Sequence, residues 1–386
     1  MCKSATPVER SCELSDIFRK YGPTFLDNHC LATTQYKAMR AIEACRTATL
    51  GGHILQCDEC GTIVQSYNSC RNRHCPKCQS LAKAKWLAAR QEELLPTQYF
   101  HVVFTLPHEI NLLAQYNHKL IYDLLFASAW HAVNTLGSDP KHLGGKMGMI
   151  AILHTWGQNL SQHIHLHCVI PGGALKQLEW ISAKKGFLFP VKALSRIFQG
   201  YYVSKLREAY KNQQFSYDPI KFNQLQDQLM AQDWVVYSKC PFAGPQQVLE
   251  YLGRYTHKIA ITNNRIISYD NGKVTFKWKD YAHGNKVKIM TIDAQEFIRR
   301  FLIHVLPTGF VRIRHFGFLA NRCRCDKIET IRQLLDVKEA DTTTSKKETS
   351  ALMLELTGID ITLCPVCQCG KLLLTAIIER QYWDTS

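Results

Sequence analysis

The stretch that decides the fold of this chain is MGMIAILHTWGQNLSQHIHLHCVIPGG, at residues 147–173. Residues 147–156 and 163–171 are rich in apolar and β-branched side chains, which predicts two strands. Gly157 and Asn159 favour a turn between them, and Gly172–Gly173 ends the second strand. Because two strands joined by a short turn pair in opposite directions, this stretch predicts a buried antiparallel hairpin.

The second strand of this hairpin carries a repeated histidine. Side chains alternate between the two faces of a strand, so one face carries His163, His165 and His167. Neighbouring imidazoles are costly to hold together unless something binds them, and we interpret them as metal ligands. His154 lies eleven residues before His165, so an antiparallel hairpin brings it alongside as a further candidate donor, and Gln158 is a second candidate of this kind.

Two pairs of cysteines upstream of the hairpin have the spacing of a zinc site. Cys57 and Cys60 form one C-x2-C knuckle, Cys75 and Cys78 form another, and 14 residues separate the two. Four thiolates suit a tetrahedral zinc ion, and about 25 residues are too few to build an apolar core. Since structural disulfides are rare in the cytoplasm, we predict a structural zinc bound by these cysteines.

Further cysteines and histidines leave the number of zinc ions open. His53, Cys70 and His74, with Cys45 further back, are candidates for a second site. The competing interpretation is that they are ordinary loop residues. The types of side chain allow either interpretation, because imidazole and thiolate are both common zinc ligands.

A third C-x2-C knuckle lies near the end of the sequence. Cys364 and Cys367 have the same spacing as the two upstream pairs. A tetrahedral site needs two more ligands, and the sequence offers Cys323 and Cys325, or Cys369 together with another group. The partners of this knuckle therefore remain open.

A pair of tyrosines lies on a predicted helix that begins near residue 245. Tyr251 and Tyr255 are four residues apart, so both phenols project from one face of the helix. This spacing alone is more typical of core residues. The neighbouring Arg254, His257 and Lys258 make the pair a candidate for chemistry at a phosphate.

Basic residues are concentrated in the second half of the chain. Residues 254–327 contain 15 Lys and Arg against 5 Asp and Glu, which is +10 of the net charge of +15. Within this region, lysines alternate with aromatic residues over 276–281, a pattern that suits phosphate contacts beside stacked bases, although a solvated charged face is the simpler alternative. The DNA-binding candidates are Arg71, Arg73, Arg254, Lys277, Lys279, Arg312 and Arg314.

The composition limits the class of protein. Of the 386 residues 46% are hydrophobic and 20% charged, which excludes disorder for most of the chain. Lys and Arg number 47 against 32 Asp and Glu, and this excess favours a polyanionic partner. The sequence contains no run of about 18 apolar residues that would predict a membrane span, and no recognisable signal peptide. We therefore expect a cytoplasmic protein with no membrane partner.

Together these motifs resemble the insertion sequence ninety-one family of rolling-circle transposases, within the His-hydrophobic-His nucleases. The resemblance covers most of the chain. It rests on CDECG…YNSCRNRHCPKCQ for a zinc domain, HTWGQNLSQHIHLHCVIPGG for a metal motif and EYLGRYTHKIAITNNRI for a tyrosine pair, followed by FIRRFLIHVLPTGFVRIRHFGFLANR. Many members have proline where Ile164 stands, a difference that a strand accommodates.

The resemblance implies roles for particular residues. His165 and His167, with His154 as third ligand, would bind Mg²⁺ or Mn²⁺. Tyr251 and Tyr255 would be nucleophiles that form a 5′-phosphotyrosine, and Lys258, one turn beyond Tyr255, would assist the phenol or stabilise phosphate charge. Zinc would be structural.

The expected fold class is α+β. An antiparallel-sheet nuclease domain follows an N-terminal region of helices and zinc knuckles, in which residues 51–80 have little room for regular structure. The expected divisions are a helical region (1–50), a zinc-binding DNA-recognition module (51–95), the tyrosine nuclease domain (96–330), a linker (331–350) and a C-terminal cysteine knuckle (351–386).

The expected function is transposition through single-stranded DNA. The chain would nick and rejoin single-stranded or hairpin ends of a mobile element. We further expect it to associate with the nucleoid and to form a homo-oligomer. Two alternatives stay open: a replication initiator or relaxase with the same chemistry, and a non-catalytic zinc-dependent DNA-binding regulator in which the histidines are structural.

Overall fold

The computed structural model describes residues 12–239, 247–248, 253, 259–281, 283–336 and 348–381. Helices and antiparallel sheets are mixed along the chain, which confirms the α+β class. The helices are α1 (Leu14–Asn28), α2 (Thr33–Ala44), α3 (Gln79–Gln91), α4 (Ile110–Tyr116), α5 (His118–Ser138), α6 (Val191–Lys211), α7 (Pro219–Ala231), α8 (Ala294–Leu302), α9 (Arg324–Leu334) and α10 (Thr349–Thr357). The strands are β1 (Gly52–Cys57), β2 (Ile63–Tyr67), β3 (Tyr99–Thr105), β4 (Gly148–Trp156), β5 (Gln162–Pro171), β6 (Gly173–Lys176), β7 (Glu179–Ser182), β8 (Val236–Lys239), β9 (Ile266–Ser268), β10 (Lys273–Asp280), β11 (Lys286–Asp293), β12 (Ile313–Gly317) and β13 (Leu372–Ile378).

Five strands form the central sheet, in the order β12-β4-β5-β3-β8 with every neighbouring pair antiparallel. The predicted hairpin is present as β4 and β5, in which His154 lies opposite His165 and Ile152 lies opposite His167. The register shifts between His154 and Trp156. Because β3 and β12 flank the hairpin, backbone hydrogen bonds hold it from both sides.

Helices α4 to α7 contribute to the core on one face of this sheet. Phe104 of β3, Leu153 of β4 and Leu166 of β5 pack in one buried cluster with Phe126 and Phe198 of the helices. Full burial of a side chain of this size contributes about 1.5–3 kcal/mol. Because side chains alternate along a strand, burying this set turns the histidines of β4 and β5 to the other face.

The other face of the sheet has its own apolar cluster. Ile152 of β4 and Val169 of β5 pack in it with Val248 and with Ile331 of α9, and Leu87 of α3 lies at its border. The histidines occupy the same face, nearer the β4–β5 turn. One face of the sheet therefore carries both an apolar floor and a group of imidazoles.

A second core lies between the N-terminal helices and the sheet of order β11-β10-β9. Phe18 of α1 contacts Phe301 of α8 edge-to-face, with ring centroids 5.5 Å apart. Phe276 of β10 contacts Phe297 of α8 in the same way, at 5.6 Å. The N-terminal helices thus pack against a part of the chain some 250 residues away.

A small sheet of order β13-β1-β2 corrects two expectations. Residues 51–80 contain two strands despite their cysteine knuckles, and the C-terminal cysteine knuckle, expected as a division of its own, continues into β13, which pairs antiparallel with β1. Local sequence does not reveal this pairing because the partner strand lies at the far end of the chain. Within the expected linker, residues 337–347 lie outside the described part of the structure.

Candidate metal centre and nucleic-acid interface

Three imidazoles converge on the sheet face opposite helices α4 to α7. The possible ligand nitrogens of His154, His165 and His167 all lie within 4.8 Å of one another, and the three side chains are at most 8% exposed. The Nε2 atoms of His165 and His167 are 3.2 Å apart. This grouping follows from the strand register, which places His154 directly across from His165.

The surroundings fix the orientation of these rings. Nδ1 of His165 donates a hydrogen bond to the carbonyl of His163 at 2.8 Å, which leaves its Nε2 as a lone-pair donor. Trp156 stacks on His154 with ring centroids 4.8 Å apart. Neutral imidazoles held in this way suit a divalent cation. His163 itself is exposed and contributes its carbonyl to the centre.

A fourth histidine, which no motif in the sequence indicates, supports this group. Nε2 of His101, on β3, lies 3.0 Å from Nδ1 of His167. Burial lowers the pKa of His101 to about 3, so the imidazole is neutral at physiological pH. In the sequence, His101 is a single histidine in the apolar strand predicted at 99–106. Its contact with His167 becomes visible only when β3 is paired with β5.

Gln158, the second candidate for the hairpin, lies in the turn rather than in the group of imidazoles. Its side-chain amide donates to the hydroxyl of Tyr281 at 3.3 Å. The register shift after His154 ends the regular alternation of β4 before residue 158 is reached. The alternation of side chains that places His154 beside His165 therefore does not place Gln158 beside them.

The predicted nucleophiles Tyr251 and Tyr255 fall outside the described residues, as do the DNA-binding candidate Arg254 and the expected assisting residue Lys258. Two described neighbours in the sequence have contacts. Val248 is fully buried in the apolar cluster that contains Ile152 and Val169. Gly253 lies against α3 so closely that a Cβ atom there would be 2.9 Å from Cδ1 of Leu87.

The cysteines form two clusters, and the predicted set of Cys57, Cys60, Cys75 and Cys78 is divided between them. The first cluster consists of Cys45, Cys70, Cys75 and Cys78. The second consists of Cys57, Cys60, Cys364 and Cys367. The prediction grouped the knuckles by their closeness in sequence, whereas β1 and β2 carry the first knuckle away from the second.

The first cluster combines one complete knuckle with two single cysteines. Sγ of Cys78 lies 3.6 Å from Sγ of Cys45 and 3.6 Å from Sγ of Cys70. Contacts with Cys45, and then with the other thiols, lower the pKa of Cys78 and raise the pKa of Cys75. Four thiols at these distances ionise together only when a cation balances their charge, which is the donor set of structural zinc.

Two predicted histidine ligands belong to neither cluster. His53 is exposed on β1, four residues before Cys57, and is not among the ligand groups that converge with the thiols. His74 is buried, and its Nε2 accepts a hydrogen bond from the amide of Leu306 at 3.3 Å. Burial lowers the pKa of His74 to about 3, in keeping with a neutral structural residue.

Three predicted DNA-binding residues make contacts within the protein or are buried in it: Arg73, Arg312 and Arg314. Arg73 donates to the carbonyl of Pro307 at 2.7 Å, and Arg312 is only 8% exposed. Arg314 forms an ion pair with Asp123 and lies over the ring of Phe126, with its guanidinium carbon 4.1 Å from the centroid. The sequence showed their charge but not their burial.

Other basic candidates remain on the surface. Arg71, Lys277 and Lys279 are exposed, and Nζ of Lys279 lies 5.6 Å from the ring centroid of the exposed Tyr281. Phe276, by contrast, is fully buried and is not available to stack on a base. The exposed face of β10 therefore offers fewer aromatic rings for stacking than the sequence pattern predicted.

Among the residues that the structure describes, no helix combines the length and apolar character that a membrane span needs.

Comparisons with known proteins add to this geometry. A family model described as putative transposase matches residues 148–327, and one described as transposase zinc-binding domain matches residues 17–106. The chain is 47% identical to putative transposase y4qJ of Sinorhizobium fredii (strain NBRC 101917 / NGR234), over 97% of the chain and 98% of that protein. It is 28% identical to the transposase for insertion sequence element IS801 of Pseudomonas savastanoi pv. phaseolicola, over 77% of the chain and 73% of that protein. No solved structure matches the chain.

Proposed function

Because this chain belongs to the insertion sequence ninety-one family of transposases, we propose that it nicks and rejoins single-stranded DNA at element ends through a 5′-phosphotyrosine intermediate. The observation that carries this proposal is the group of three imidazoles on β4 and β5. It offers neutral donors at the surface of a sheet, beside the apolar cluster that contains Val248. Transposition by a rolling-circle route would follow from the same chemistry.

The proposed cation ligands are His154, His165 and His167. All three are neutral donors, so a bound Mg²⁺ or Mn²⁺ would keep its full charge for polarising a phosphate oxygen. The carbonyl of His163 and the ring of His101 orient the imidazoles through the nitrogens that face away from the shared space. The chain thereby prepares the group before DNA binds.

The proposed nucleophiles are Tyr251 and Tyr255. A phenol has a pKa near 10 in water and is a weak nucleophile at neutral pH, so attack needs an electrophilic phosphate close by. The phenolic oxygen forms a bond to phosphorus as it loses its proton, the bond to the 3′-oxygen breaks, and the 3′-oxygen takes up a proton. The 5′-phosphate stays on the tyrosine as an ester, which preserves the energy needed for rejoining.

Chain connectivity supports this assignment. Val248 packs with Ile152 and Val169, each two residues along its strand from a proposed ligand. Val248 lies three residues before Tyr251 in the sequence, which supports a role for the tyrosine pair at this sheet face. A second tyrosine four residues on would allow one phenol to hold the first strand while the other cuts the second.

The proposal is tested by trapping the intermediate. The purified protein is incubated with Mn²⁺ and single-stranded oligonucleotides that carry candidate end sequences, and SDS-resistant adducts are measured. We expect an adduct from the unchanged protein that persists in at most one of the single variants Tyr251→Phe and Tyr255→Phe, and that disappears in the double variant.

Tyr116→Phe is the matched control, because Tyr116 is 81% exposed on α4 and removing its hydroxyl should leave the adduct unchanged. An adduct that survives in the double variant would overturn the tyrosine assignment. The absence of an adduct with every end sequence would favour the non-catalytic DNA-binding regulator, in which the imidazoles have a structural role.

A further inference from the structure

We infer that Cys57, Cys60, Cys364 and Cys367 bind one zinc ion that clamps the C-terminal segment to the N-terminal sheet. Sγ of Cys57 lies 3.6 Å from Sγ of Cys367, a residue 310 positions away in the chain. Sγ of Cys60 lies 3.7 Å from Sγ of Cys364, 304 positions away. The zinc-binding family match ends at residue 106, so it does not include the second half of this site.

Each half of the site is arranged for thiolates. The amide of Cys60 points at Sγ of Cys57, 3.5 Å away, and the amide of Gly370 donates to Sγ of Cys367 at 3.4 Å. Hydrogen bonds from backbone amides stabilise a charged sulfur. A Cβ atom at Gly370 would lie 2.4 Å from Sγ of Cys57, so the close approach of the two knuckles requires glycine there.

The backbone of β1 and β13 aligns the two knuckles with each other. β1 and β13 pair from Gly52 opposite Ile378 to Cys57 opposite Leu372, so the ladder ends at the cysteines. Beyond the ladder, the amide of Asp58 donates to the carbonyl of Lys371 at 3.1 Å, and the amide of Lys371 donates to the Asp58 carboxylate at 2.7 Å. The sulfur atoms therefore converge at the end of the sheet.

This sheet needs a metal because it buries little apolar surface. Leu373, Leu374 and Ile377 of β13 are each more than half exposed, and β2 is mostly exposed as well. A small sheet without an apolar face is marginal in water. Four thiolates around one zinc supply the missing stabilisation, as in other small metal-dependent modules.

The clamp has a consequence for the helix that precedes the knuckle. α10 lies between the linker and Cys364 in the chain, and it packs against α3 with Leu352 only 6% exposed. α3 is also the helix that Gly253 approaches. Zinc at the second cluster thus holds α10 on α3 by fixing the end of the segment that carries it.

The first test is the zinc content of the full-length protein, measured by inductively coupled plasma mass spectrometry after dialysis against a weak chelator. The variant Cys364→Ser, Cys367→Ser should contain one zinc ion fewer per chain than the unchanged protein. The matched control is Cys323→Ser, Cys325→Ser, which removes two cysteines that belong to neither cluster and should leave the content unchanged. Equal zinc content in all three proteins would overturn the inference, as would a loss in the control alone.

The second test asks whether zinc joins the two ends of the chain. A protease recognition sequence is inserted after Thr343, in the polar stretch KEADTTTSKKETS at 338–350, and the full chain is cleaved under reducing conditions. The C-terminal fragment should co-elute with the rest of the protein in size-exclusion chromatography and dissociate when 1,10-phenanthroline is added. The Cys364→Ser, Cys367→Ser variant should release it without chelator.

A fragment that stays bound after the zinc is removed would show that strand pairing alone holds it, and the clamp would be wrong. Release of the fragment from the unchanged protein under these reducing conditions, before any chelator is added, would also overturn the zinc assignment.

Discussion

The imidazole of His101 lies 3.0 Å from Nδ1 of His167, whose Nε2 is turned towards His165. If Nε2 of His167 binds a cation, its Nδ1 carries the proton and donates it to His101. His101 is then a positioning residue, because it fixes the tautomer and the ring orientation of a ligand. Its own strand, β3, is buried, so the contact has little freedom to shift.

We therefore expect His101→Phe to weaken Mn²⁺ binding about 10- to 100-fold, the usual effect of losing such a partner. Isothermal titration calorimetry with Mn²⁺ measures this directly. His101→Gln retains an acceptor for the proton of His167 and should recover much of the affinity. His53→Phe makes the same chemical change at an exposed site and should bind Mn²⁺ normally. Equal Mn²⁺ affinities of His101→Phe and the control would show that His101 does not position a metal ligand.

At the scale of elements, two arginines brace the turn that joins the ligand-bearing strands. The guanidinium of Arg265 donates to the carbonyls of Gln158, Lys277 and Ala260. Arg300 donates to the carbonyl of Asn159 at 3.2 Å. The turn is thereby tied both to the β9–β10 region and to α8, which links the hairpin to the second core.

Arg265→Lys should lower the free energy of unfolding by about 1–3 kcal/mol. The planar guanidinium group of arginine donates to several carbonyls at once, whereas the ammonium group of lysine does not reach them all. Equilibrium unfolding in urea measures the change. The control Arg322→Lys alters an exposed arginine and should stay within about 0.5 kcal/mol of the unchanged protein. If the two variants are equally stable, the brace contributes nothing beyond surface charge.

At the scale of the whole molecule, the basic residues behind the net charge of +15 fall into two groups, those held in internal contacts and those exposed on the surface. Arg73 and Arg314 are engaged in internal contacts, whereas Lys277 and Lys279 remain exposed on β10 beside Tyr281. Exposed lysines next to an exposed aromatic ring suit a single strand, because phosphates and bases are then contacted together. We propose that single-stranded DNA runs along this strand.

Lys277→Ala with Lys279→Ala should weaken binding of single-stranded DNA regardless of its sequence. Each lost phosphate contact reduces the slope of log K against log salt by about 0.7, so the pair should reduce it by about 1.4. Fluorescence anisotropy across a salt series measures the slope. Lys192→Ala with Lys221→Ala removes two exposed lysines from α6 and α7, and the slope should not change. An equal effect of both pairs would mean that net charge alone matters.

The sequence by itself determined the features that depend on local periodicity. Alternation along β5 placed His165 and His167 on one face and Ile164 and Leu166 in the core, because that alternation is a property of any strand. The hairpin brought His154 to them for the same reason, since a short turn restricts the register. The C-x2-C spacing likewise identified each knuckle, because two cysteines three positions apart converge through their own backbone.

The tertiary structure alone decided which distant groups meet. Cys57 and Cys60 face a knuckle more than 300 residues away, and His101 faces His167 through the pairing of β3 with β5. It also decided that Arg73 supports the carbonyl of Pro307. Spacing in a sequence carries no information about such partners, because strand order and burial are set by how the whole apolar surface is covered, and many pairings are compatible with the same local pattern.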